Sequence, residues 1–256
     1  MTLPKLGRAP RSFNPTIPHL SAHVAGRAHA PPPESVDWTR GMPADLGAML
    51  NNQVNDCSCA AFYHAMQVWS FNATGSLDTE PDANVQALYS AVSGYQAGSA
   101  PPGPTCSEQD VLTYLVKTGA PAGANGKGVN KLAAFLEIDY RNLDDVKRTV
   151  NECGVAYLGV GIPAYLHTDP MPPLWDVELQ NDQVIGGHAV AAAGYDAQGL
   201  RIISGGKVYV MTWAFFTKYT DEAYALADAS WIGAKGTSPG GLSLEVLGQQ
   251  MHALKG

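Results

Sequence analysis

The chain has 256 residues, 45% of them hydrophobic and 15% charged, which suits one large domain or two lobes sharing an interface and excludes a disordered or coiled-coil protein. A net charge of −7 argues against a nucleic-acid partner or an anionic membrane surface, and no run approaches the roughly 18 apolar residues of a membrane span. Four cysteines without paired metal-ligand spacing argue against a disulfide scaffold and a structural zinc site, so neither metal nor other cofactor is expected.

Residues 1–35 are rich in Pro, Ala, Arg and His and lack sustained periodicity, which predicts an extended arm that wraps the body or stays mobile. Met1 to Pro10 carries basic residues with no apolar stretch behind them. No secretory signal is therefore read, and a cytoplasmic location is the default, with export or virion association left open. Val36-Asp37-Trp38-Thr39 begins the folded body.

Cys57 to about Phe71 reads as a helix ended by Asn72 to Gly75, and Ala83 to Ser93 as a second. Ser107-Glu108-Gln109-Asp110 resembles a capping box and opens a third over Glu108 to Lys117. Leu132 to Tyr140 reads as a strand. Asn142 is placed as the N-cap of a helix over Asp144 to Glu152. Val155 to Ile162, His188 to Tyr195, Leu200 to Ser204 and Lys207 to Thr212 follow as strands. Helices early and strands late predict an α+β protein: a helical lobe over 36–130 and a β-rich lobe over 131–256.

The chemistry centres on the amide-rich run Asn51-Asn52-Gln53-Val54-Asn55-Asp56-Cys57-Ser58-Cys59. A thiol at a loop-to-helix junction meets unpaired backbone N–H groups and the helix dipole, both of which favour a thiolate. Such a nucleophile needs an imidazole from elsewhere in the fold, and His188 in Gly186-Gly187-His188-Ala189-Val190 is the best placed. His64, seven residues beyond Cys57, reads as a packed or hydrogen-bonded core histidine. Asp56 would disfavour a thiolate if it pointed inward, so it is expected at the surface as a cap or turn residue. Cys106 and Cys153 read as free core thiols.

Together these blocks resemble the papain-like cysteine peptidases. Val36-Asp37-Trp38, the amide-rich loop into a helix begun by cysteine, and Gly-Gly-His-Ala-Val followed by Gly194-Tyr195-Asp196 carry the likeness. Leu50 to Ser58 is similar to the L-G-N-D-x-x-G-D-C-T signature of bacterial and phage members, as is Met211 to Tyr224 to their C-terminal block. The 131 residues from Cys57 to His188 fall within the roughly 130–150 expected of papain-type enzymes.

The resemblance implies a two-lobed fold with a barrel-like β lobe, a cleft between the lobes, and hydrolysis of a peptide or protein substrate through an acyl-enzyme. Two registers stay open. Cys57 with Asn51 as oxyanion donor fits the Asp-Cys-Ser pattern and is favoured; Cys59 with Gln53 keeps the family's usual Gln. The family's orienting Asn-Ser-Trp-Gly is replaced by Ile203-Ser204-Gly205-Gly206, which leaves Ser204, or a backbone carbonyl, to bond the imidazole. Two other activities fit the same residues: a catalytically silent binding or structural module, and acyl transfer on the same pair.

Overall fold

The structure is a computed structural model and describes residues 3–21 and 30–232. Strand β1 (Val36–Asp37) is followed by helices α1 (Cys57–Thr74), α2 (Asp82–Ser93) and α3 (Glu108–Lys117). A small hairpin, β2 (Ala120–Ala122) with β3 (Gly128–Asn130), leads to β4 (Ala134–Glu137), α4 (Leu143–Cys153) and β5 (Ala156–Pro163). Then come β6 (Leu174–Trp175), β7 (Val184–Tyr195), β8 (Gly199–Ser204), β9 (Lys207–Thr212), α5 (Trp213–Tyr219), β10 (Thr220–Ala227) and α6 (Ala229–Ile232). This is the expected α+β class.

The main sheet runs β4-β10-β5-β7-β8-β9-β6, with β1 paired to β7 off this path. It is open rather than closed, which corrects the expectation of a barrel-like lobe: β4 and β6 at its two ends do not pair. All its ladders are antiparallel except β6 on β9.

Strand β7 shows why the sequence reads continuously apolar after the histidine. Side chains alternate across a strand, and Ala189 and Ala193 join the apolar cluster that holds α1 while Val190 and Ala192 join the cluster around α4 and α5. A strand covered on both faces needs no polar alternation. The small side chains facing α1 let the helix come close. Helix α1 is itself buried over Cys57 to Trp69, because β7, α2 and α6 pack around it. It runs three residues beyond the expected end, to Thr74, where Gly75 in the left-handed conformation returns its N–H to the Phe71 carbonyl.

Helix α3 has the expected bounds, and Ser107 caps it by accepting from the Asp110 N–H at 3.1 Å. Asn142 stands at the N-cap of α4, but its side chain caps nothing and donates to Asp145 Oδ2 at 2.8 Å. The expected strand over Leu132 to Tyr140 shortens to the four residues of β4, at the sheet edge. Helix α5 and strand β10 were not among the expected elements. Thr212 starts α5 by accepting from the Phe215 N–H at 3.1 Å. In β10 six consecutive buried residues from Glu222 erase any period-two signal.

Residues 3–21 of the N-terminal arm lie against the body. Its first stretch bonds Asn51 in the loop before α1, Cys106 just before α3, and Gly187 in β7. Farther along, the Pro18 carbonyl accepts the Glu137 N–H at 2.9 Å and His19 forms an isolated bridge with Glu137 on the edge strand β4. Arg11 pairs with the Glu137 carboxylate.

Candidate active site

Cys57 is the first residue of α1, where a backbone N–H has no intrahelical acceptor. The loop before it is held by tight turns: Asn51 N–H to Ala48 O at 3.0 Å and Gln53 N–H to Leu50 O at 2.7 Å. Met49 and Leu50 take positive φ values of 50° and 66°, a conformation that costs side-chain-bearing residues about 1–3 kcal/mol. The turn aims Asn51 inward, buried, and leaves Gln53 in solvent.

The structure brings Cys57, Asn51, His188 and Ser204 into one buried neighbourhood. The backbone amide of Ala189, the residue after His188, is directed at the Cys57 sulfur, as is that of Gly7 from the arm. Asn51 Nδ2 donates to the Lys5 carbonyl at 3.2 Å, and the Lys5 N–H returns a bond to the Asn51 carbonyl at 2.7 Å. His188 Nε2 lies 2.8 Å from Ser204 Oγ, while Nδ1 has no hydrogen-bond partner of good geometry among the described residues. With Nε2 protonated and Ser204 accepting, Nδ1 keeps its lone pair.

Cys59, in the other register, points elsewhere. It is wholly buried in the apolar cluster, and its thiol hydrogen-bonds that of Cys106. All four cysteines are free thiols. His64 Nδ1 bonds Gln67 Oε1 at 2.8 Å, and Gln67 in turn donates to the Leu46 carbonyl at 2.9 Å. Burial lowers the His64 pKa to about 4, so this imidazole is a neutral packing residue.

Asp56 departs from expectation. It is fully buried beside the thiol and makes no side-chain cap. Its φ of −103° and ψ of 15° lie outside the extended region that a capping residue adopts. Burial raises its pKa well above the ordinary value, opposed by the neighbouring Asn51 amide, which favours the neutral carboxyl, and any charge it does carry pushes the Cys57 thiol up. Its contribution to stability is full below about pH 4 and is lost as pH rises through the native pKa, at up to about 1.4 kcal/mol per pH unit. Urea melts of Asp56→Asn and the parent at pH 5 and pH 8 are expected to show the parent losing ground to the variant at the higher pH.

With the arm in place Cys57 and His188 are both electrically silent. Burial pushes the Cys57 thiol up to about 12. Burial likewise takes His188 down to about 3, the Lys5 carbonyl pulling it back up and the Arg8 charge adding to the fall. At neutral pH the two groups are a thiol and a neutral imidazole.

Sequence reasoning missed the arm's own residues. Arg8 is buried, with Nη1 on the Glu222 carboxylate and Nη2 at 2.7 Å from Asp221 Oδ2. No pattern marks it: an arginine in a basic, proline-rich arm reads as solvated, and its partners lie 214 and 213 residues away. The glycines before His188 did hint at close approach. A Cβ on Gly187 would lie 2.7 Å from the Arg8 carbonyl oxygen. Beside Ser204, a cavity of about 490 Å³ is lined by Leu3, Pro4, Gly47, Ala48, Gly205 and Tyr209, among others. No group of residues suited to a metal ion occurs among the described residues, and no helix among them is long and apolar enough to cross a membrane.

No family model and no curated protein matches the chain. Solved structures do. Xylellain, a cysteine protease from Xylella fastidiosa, superposes with a TM-score of 0.64 at 15% identity, over 89% of this chain and 97% of that one. Procathepsin B S9 from Trypanosoma congolense gives 0.57 at 12% identity, over 88% and 87%. A digestive procathepsin L 3 from the Tenebrio molitor larval midgut gives 0.54 at 14%, over 88% and 75%. At such identities the likeness is one of backbone: the chain has the fold of the papain-like cysteine proteases.

Proposed function

We propose that the protein is a cysteine peptidase of the bacterial and phage kind, held latent by its N-terminal arm. The observation that carries this reading is the Lys5 carbonyl, which accepts from Asn51 Nδ2 at 3.2 Å beside the thiol at the start of α1. A peptide carbonyl already rests where a substrate carbonyl would be polarised.

In the released enzyme, His188 Nδ1 takes the Cys57 proton and the thiolate sulfur attacks the substrate carbonyl carbon. The tetrahedral oxyanion receives hydrogen bonds from Asn51 Nδ2 and from the Cys57 N–H, free at the helix start. The imidazolium protonates the leaving amine as the C–N bond breaks, and water, deprotonated by His188, hydrolyses the thioester. In this reading Ser204 Oγ, 2.8 Å from Nε2, takes the acceptor role toward Nε2–H and so holds the ring in the tautomer the transfer needs. Lys5 and Gly7 do not undergo this reaction because burial under the arm holds the Cys57 thiol up at about 12 and His188 down at about 3, so the imidazole does not draw off the proton.

A peptidyl epoxysuccinyl probe with mass-spectrometric mapping tests the proposal in an arm-loosened full-length variant. Modification of Cys57, with Cys59 untouched, is the expected result. A folded variant that labels at neither cysteine overturns the peptidase reading and leaves a silent module of the same fold.

A further inference from the structure

The site into which Arg8 inserts has more acid than one arginine uses. Glu222 is wholly buried and takes Arg8 Nη1 on Oε1, while its Oε2 accepts the Tyr224 hydroxyl at 2.7 Å; Tyr224 is held by Gln109 Nε2 at 3.0 Å. Asp221, half-exposed at the mouth, takes Nη2. Glu108, at the start of α3, is buried with neither carboxylate oxygen hydrogen-bonded among the described residues; burial raises its pKa well above the ordinary value and the nearby Arg8 charge opposes that rise. Gly159 makes the room: a Cβ there would lie 2.5 Å from Glu222 Cγ and 2.9 Å from Arg8 Nη1. A cavity of about 320 Å³ adjoins the guanidinium, lined by Pro10, Gly161, Val184, Gly187 and Asp221, among others.

The main chain carrying Arg8 is held as an extended peptide. The Arg8 N–H donates to the Gly187 carbonyl at 3.2 Å on one side of the cleft. On the other, the Ala9 N–H donates to the Cys106 carbonyl at 3.0 Å and the Cys106 N–H to the Gly7 carbonyl at 3.1 Å. These edges are backbone groups and hold any extended segment. A segment that replaces the arm puts a side chain where Arg8 now lies, over buried carboxylates left without their cation, a costly arrangement until another cation arrives. Two carboxylates set on separate η nitrogens match the planar fork of a guanidinium better than the point charge of an ammonium.

We propose that this acidic pocket is the substrate-specificity subsite: once the arm is displaced, it receives an arginine side chain of the peptide substrate, and Arg8 is its resident stand-in. The proposal rests on the peptidase reading for its substrate, but the pocket can be tested without catalysis.

The full-length Arg8→Ala variant empties the pocket, and Arg8→Gln provides a second, bulkier vacancy should the first fail to fold. N-acetyl-arginine methylamide is expected to raise the melting temperature of either variant by several degrees, with no shift in the parent, whose pocket is filled. N-acetyl-norleucine methylamide is expected to shift none of them. In a positional-scanning fluorogenic peptide library, arginine is expected to be favoured over leucine at one position by at least tenfold, and Glu222→Gln in the same background to remove that preference.

Hydrolysis without arginine preference, together with no arginine-dependent melting shift, overturns the subsite and leaves the peptidase intact. An arginine-dependent shift in a protein that neither hydrolyses nor labels at Cys57 supports the pocket and overturns the peptidase reading. A preference that survives Glu222→Gln overturns the assignment to this pocket.

Discussion

Gly7→Ala is expected to raise the rate at which iodoacetamide alkylates Cys57 at pH 7 by roughly a thousandfold. A Cβ on Gly7 would lie 2.1 Å from the Asn55 carbonyl oxygen and 2.5 Å from its Cα. These are backbone atoms of the loop that positions the thiol, so neither side can yield cheaply, and the arm must leave its seat. With it go the cover over the sulfur and the nearby Arg8 charge that helps hold His188 neutral.

The magnitude follows from ionisation. A thiol pushed up to about 12 is roughly one part in 100,000 thiolate at pH 7, against about 3% for an unperturbed cysteine. Quenched alkylation time courses read by intact mass, with peptide mapping, measure the change, and peptide hydrolysis should appear alongside it. Equal rates in parent and variant, with the variant folded, would mean that the arm does not keep the thiol silent.

The second large effect concerns how the four cleft residues divide the chemistry. In the Gly7→Ala background, His188→Ala is expected to lower kcat/KM by at least about 10⁴-fold, since a thiol without its base loses the step that makes it a nucleophile. Asn51→Ala is expected to cost about 10²–10³-fold, the usual loss on removing one oxyanion donor. Ser204→Ala removes one neutral hydrogen bond to the ring, about 1 kcal/mol, and is expected to cost roughly fivefold. Gln53→Ala, exposed at the loop tip, should change little. Were Gln53→Ala to cost a hundredfold and Asn51→Ala nothing, the register would be Cys59 with Gln53.

The parts of the molecule legible in sequence are those whose signals are local or carried by a recurring pattern. The thiol stands at a helix start that polar turn residues announce. The histidine follows two glycines and precedes an apolar run, and Ser204 sits where the orienting residue is looked for. Asp56 was misread because an acid next to a loop is ordinarily solvated, and only tertiary packing closes over it. The arm was harder still. Its path depends on the buried Arg8–Glu222 pair and on backbone bonds to Asn51, Cys106 and Gly187, none of which has a periodicity to read. Strand β10 was missed for a related reason: burying Glu222 within it erases the alternation that marks a strand.

Two of the arm's fastenings among the described residues have separate physical jobs. Lys5 to Ala9 fill the cleft, whereas Pro18 and His19 lie along β4 at the open end of the sheet. An uncovered edge strand is a template for another chain. Peeling back the front of the arm while Pro18 keeps its bond to Glu137 would free the cleft and leave that edge sealed. Cutting away the whole arm would free the cleft and bare the edge together, making solubility, as much as activity, the thing that changes.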